Sequence, residues 1–111
     1  MKRTPLKRKT PLRKRSKQSP KVMARDRRFY NACWTRDDWK CQVCGEIADD
    51  VHHLWHKGAF PEWRWVLENG VSLCRVHHSQ AEADLYYLNQ FGIDRDAVRD
   101  DFMQNIGTII D

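Results

Sequence analysis

Cys41-Gln-Val-Cys44, Val51-His52-His53-Leu54, Glu68-Asn69-Gly70-Val71-Ser72-Leu73 and Cys74-Arg-Val-His77-His78 decide the reading of this chain. Cys41-x2-Cys44 and Cys74-x2-His77 are two half-sites separated by 29 residues. Two thiolates on one tight knuckle take two corners of a tetrahedron, and a second pair supplies the others, giving a closed Cys3His site of the kind that holds structural zinc. His52, His53, Asn69 and His78 are left over from that set, and a purely structural metal site needs none of them.

The surrounding pattern gives an α+β order. Met23, Tyr30, Cys33 and Trp34 recur at helical spacing, which predicts a helix over 22–38. Cys33 has no CxxC partner and reads as a buried core thiol. A short apolar-rich strand is expected over 51–55, a loop over 56–68 with Gly58, Pro61 and two tryptophans, and a second strand over 70–74. A helix is expected from 75 to about 90, stopped by Gly92. A last helix is expected over 94–109, with Asp94 as N-cap and Val98, Phe102, Ile106 and Ile109 at helical spacing.

Charge divides the chain. Residues 1–28 carry 13 Lys/Arg against Asp26 alone, a balance of +12, whereas residues 29–111 carry 7 Lys/Arg against 14 acids, a balance of −7; together they make the net +5. The arm over 1–21 contains the repeat Thr4-Pro5-Leu6-Lys7-Arg8 and Thr10-Pro11-Leu12-Arg13-Lys14, and its composition predicts loose structure. Its Lys7, Arg8, Arg13, Lys14 and Arg15 suit sequence-independent contact with nucleic-acid phosphates. A solubilising tail is the plainer alternative.

The length of 111 residues predicts one folded unit over 22–111. A unit this small is often stapled by metal or disulfides. No signal peptide and no membrane span are expected, which implies a reducing cytoplasm and favours metal over disulfide.

The ordered series CxxC, HH, N, CxxHH over 41–84 resembles the HNH endonucleases, the ββα-metal or His-Me finger nucleases. It is closest to the small zinc-stapled members of phages and restriction enzymes. Those usually carry a fourth cysteine where this chain has His77. The resemblance implies a zinc-stapled ββα-metal core with flanking helices, in a phage- or prophage-encoded protein acting in a bacterial host beside phage protein partners. It implies hydrolysis of DNA, double-stranded by expectation, with His53 as general base and His52 and His78 holding a catalytic divalent ion (Mg2+, Mn2+ or Ni2+).

The residue chemistry agrees with that reading. A neutral imidazole, with an ordinary pKa of about 6.5, takes a proton from water at neutral pH. On an ideal strand His52 and His53 point to opposite sides, so they converge only where the strand twists or ends. Asn69 is expected to fix the loop by bonding backbone groups and so to orient His53; by itself Asn before Gly also reads as a turn. Glu82, four residues after His78 on the same helix face, is a further candidate ligand. His56 and Lys57 are placed to meet a phosphate, or to be plain loop residues. Arg64 and Arg75 are candidate backbone contacts, and Trp55, Trp63 and Trp65 read as packing. The main alternative is a non-catalytic zinc module that binds nucleic acid through the arm; an acidic surface docking a basic protein is a second. Oligomeric state and sequence preference have no signature here.

Overall fold

A computed structural model describes residues 18–111, so Lys7, Arg8, Arg13, Lys14 and Arg15 lie outside the described residues. The elements are α1 (Pro20–Arg36), β1 (Asp50–His53), β2 (Gly70–Leu73), α2 (Arg75–Ala83) and α3 (Arg95–Met103), with 3-10 turns at Pro61–Trp63, Leu67–Asn69 and Tyr87–Phe91. The molecule is a small α+β domain. Among the described residues, no helix is long and apolar enough to cross a membrane.

α1 starts where the local chemistry dictates: the Ser19 side chain accepts from the Val22 N–H at 3.2 Å and Pro20 opens the helix. The last two residues of the arm expected over 1–21 therefore belong to this helix. Phe29 and Cys33, one turn apart, are fully buried against the sheet. The far end is stitched down by Arg36, which donates to the carbonyls of Leu67 and Gly70, and by Asp37, which accepts from the Ser72 N–H.

β1 and β2 pair antiparallel, with His52 opposite Val71 and His53 opposite Gly70. All four residues of β2 are buried because both its faces are covered. Val71 and Leu73 join Cys41, Leu54, Ala81 and Leu88 in the core on the α2 side. Gly70 and Ser72 face α1, where the Ser72 hydroxyl donates to the Cys33 carbonyl at 3.4 Å. Side-chain alternation sorts β1 in the same way: Val51 and His53 lie toward α1, Asp50 and His52 toward α2.

Two helices are shorter than the sequence pattern predicts. The helix expected over 75–90 ends at Ala83. Asp84 adopts an extended backbone and its carboxylate accepts from the Tyr86 N–H at 3.0 Å, a local bond that competes with the helix; the chain resumes as a 3-10 turn that still buries Leu88. The helix expected over 94–109 begins as predicted, with the Asp94 carboxylate accepting from Asp96 and Ala97, but ends at Met103. Asn105 is left-handed (φ 60°), and the tail turns back so that Ile109 bridges Val66 and Ile110 donates to the Trp65 carbonyl. Ile106 and Ile109 are exposed instead of lying on a helix face.

A Cβ added to Gly70 would lie 2.6 Å from the Cys33 Sγ and 2.9 Å from the Phe29 ring, both fully buried. Gly70→Ala is expected to destabilise the fold by about 1–3 kcal/mol, read as a lower urea midpoint at unchanged slope.

Two candidate metal-ligand clusters and a histidine cleft

Cys41, Cys44, Cys74 and His77 each offer one ligand atom, and these atoms all lie within 4.8 Å of one another. The knuckle closes through Gly45 (φ 79°), whose N–H donates to the Cys41 carbonyl at 2.9 Å. Cys74 caps α2 and His77 sits one turn later, so the second half-site comes from the helix start. The spacings are 3.1 Å from Cys74 Sγ to His77 Nδ1, 3.6 Å from Cys41 Sγ to His77 Nδ1 and 3.9 Å between Cys44 and Cys74 Sγ. Burial opposes the Cys41 thiolate, but backbone hydrogen bonds at Cys74, Cys44 and Val43 outweigh it and the thiol falls to about 6. A thiolate available at neutral pH is what a metal ligand requires. Cys33 is apart from this set: burial pushes its thiol up to about 12, as expected of a core residue.

His52, His78 and Glu82 form a second group whose ligand atoms also lie within 4.8 Å of one another. His78 Nε2 is 3.1 Å from Glu82 Oε1, and its Nδ1 is 3.0 Å from Asp50 Oδ2. A carboxylate behind one imidazole nitrogen fixes the ring and leaves the other nitrogen directed at the ligand cluster. Sequence reasoning did not single out Asp50, although the strand period places it on the face of His52. Burial, then the charges of His78, His53, His56 and Arg95, push His52 down to about 4, so its ring is neutral and able to ligate.

His53 remains on the other face of β1. Its ring stacks on Phe29 with centroids 5.2 Å apart, and its Nε2 is 3.1 Å from the Arg64 carbonyl. A ring nitrogen facing a carbonyl must carry the proton, which leaves the Nδ1 lone pair free. Burial lowers the pKa of the ring below the usual histidine value. Because β1 ends at His53, both histidines open into one cleft of about 200 Å3 with Tyr30, Val51, His56, Lys57, His78 and Glu82.

The carbonyl that orients His53 is itself held. Arg64 donates Nε and Nη2 to the two carboxylate oxygens of Asp26 at 3.1 and 2.7 Å, and Trp65 Nε1 donates to the same carboxylate at 2.8 Å. Burial works against that charge, but the Arg64 and Trp65 bonds prevail and Asp26 sits below the usual carboxylate range. Arg64 is thus taken up by an ion pair within the fold, and Asp26 was not anticipated from the sequence. Arg75 is exposed at the start of α2.

Asn69 is fully buried and its amide makes three hydrogen bonds. Oδ1 accepts from the Trp55 N–H at 2.8 Å, and Nδ2 donates to the carbonyls of Trp55 and Trp63 at 3.0 and 3.1 Å. It ties down both sides of the expected loop. The tryptophans pack: Trp63 stacks on Phe60 at 4.9 Å and Trp55 meets Phe60 edge-on. No family model, curated protein or solved structure matches the chain.

Asn69→Ala would leave one N–H and two carbonyls without their partner. It is expected to destabilise the domain by at least ~2 kcal/mol, measured by chemical denaturation. Cys74→Ser is expected to remove one bound ion per chain in native mass spectrometry and to cost more than about 4 kcal/mol of stability. Unchanged metal content would refute the Cys3His assignment.

Proposed function

We propose that the protein is a metal-dependent endonuclease of the HNH type that hydrolyses DNA phosphodiester bonds, stapled by a structural zinc ion at Cys41, Cys44, Cys74 and His77. Three thiolates and an imidazole are a typical zinc donor set. The edges of a tetrahedron with Zn–S near ~2.3 Å are about 3.8 Å, close to the 3.9 Å between the Cys44 and Cys74 sulfurs. The observation that carries the catalytic reading is the shared cleft: an imidazole with a free Nδ1 and a two-histidine, one-carboxylate ligand cluster open into the same space.

In this mechanism His53 Nδ1 takes a proton from the attacking water as its oxygen bonds to phosphorus and the bond to the 3′ oxygen breaks, the departing oxygen taking a proton from solvent. The Arg64 carbonyl holds the ring in the required tautomer and stabilises the imidazolium that forms. His52, His78 and Glu82 would hold a divalent ion, magnesium, manganese or nickel, which would supply positive charge to the phosphate and the leaving oxygen. Asp50 keeps His78 turned toward that position. By the HNH resemblance the products carry 5′-phosphate and 3′-hydroxyl ends.

The test is cleavage of supercoiled plasmid with Mg2+, Mn2+ or Ni2+ present. The wild type is expected to nick, and His53→Ala to lose ~10²–10⁴ of the rate while keeping its circular dichroism and zinc content. Absence of cleavage by wild type with all three ions, alongside retained salt-sensitive DNA binding, would mean a binding module instead.

A further inference from the structure

Residues 29–111 are acidic in sum, yet basic side chains gather around Trp55 and in the cleft. His56 and Lys57 line it, and Arg95 and Arg99 flank Trp55, with guanidinium carbons 3.8 and 5.5 Å from the ring centroid. Arg95, the first residue of α3, is only 6% exposed. Its guanidinium also approaches the Tyr86 ring at 5.5 Å, and its carbonyl accepts from Trp55 Nε1 at 2.8 Å. Trp55 follows His53 by two residues, so the guanidinium lies close to the end of β1.

An arginine this deep ordinarily meets a carboxylate. Among the described residues, none of the ion pairs includes Arg95, and its Nε is buried with no hydrogen-bond partner. Arg99, one turn further on, is the contrast: it is part-exposed and pairs with Asp96 and Asp100. The protein therefore holds a planar, five-donor cation over an aromatic platform near the end of β1, and the described residues supply no anion for it. That platform is rigid, because Asn69 grips both the N–H and the carbonyl of Trp55. A guanidinium fork matches two phosphate oxygens.

We infer that Arg95 binds a backbone phosphate of the nucleic-acid strand, neighbouring the phosphate that is cut, with Trp55 holding the guanidinium ready. The inference rests on the nuclease reading of the cleft. It gives Asn69 a second consequence, since the residue that fixes the loop also fixes the platform under a substrate contact.

The experiment measures binding of the full chain to a short fluorescent DNA duplex over a series of salt concentrations, with no Mg2+, Mn2+ or Ni2+ added. Each phosphate contact contributes about 0.9 to the slope of log affinity against log salt. Arg95→Met is expected to make that slope shallower by about this amount. Arg95→Lys should keep the slope but bind several-fold more weakly, because it loses the fork. Arg95→Gln serves as the neutral variant if the Met substitution loses the helical circular dichroism. An unchanged slope in a folded neutral variant, or wild-type affinity in Arg95→Lys, overturns the assignment while leaving the nuclease reading intact. A wild type that neither binds nor cuts DNA removes both.

Discussion

A two-stranded sheet cannot stand in water on its own, and the rest of this molecule follows from covering it. β2 is buried along its whole length, with α1 against Gly70 and Ser72 and the core of α2 and Leu88 against Val71 and Leu73. With so little apolar material, each cover needs further fastening. On one side the Cys41/Cys44 knuckle and the start of α2 converge on a single metal-ligand cluster. On the other, Arg36 and Asp37 bond the end of α1 to the backbone of β2. What stays open is the outer edge of β1, and the candidate chemistry lies there.

The cleft has two halves held by different means. His52, His78 and Glu82 come from a strand and a helix that the core fixes, with Asp50 behind them. His53 comes from the same strand but is held from the opposite layer, by Phe29 of α1 and by a carbonyl that Asp26 of α1 steadies through Arg64. α1 is therefore both a cover for the sheet and a support for the proposed base. Asp26 sits at the centre of that support although it is the lone acid in an otherwise basic stretch.

The two candidate metal-ligand clusters were legible because metal ligation demands particular residue types at particular spacings, and Cys41, Cys44, Cys74, His77, His52 and His78 satisfy them in one dimension. Glu82 was legible from the helix period. Asp50 and Asp26 were not, because each acts through a partner distant in sequence, and nothing local distinguishes an acid that orients a histidine from a solvated one. The helix ends misread for a related reason. Periodic apolar residues continue past Ala83 and Met103, but the local bond of Asp84 and the tail's pairing with Val66 and Trp65 decide the backbone there.

The connection from residue 54 to 69 is too long to set strand alignment as a tight turn does. Asn69 sets it instead: its carbonyl accepts from the Leu54 N–H at 2.8 Å and its side chain takes both polar groups of Trp55, extending the ladder beyond the pair His53 and Gly70. Alignment here carries chemical meaning because the two histidines are adjacent and face opposite ways. A slip of one residue would turn His53 toward the ligand cluster and His52 toward Phe29, exchanging the roles proposed for the two histidines with no change in composition. The buried amide thus works as a parity check on which histidine faces which side of the strand.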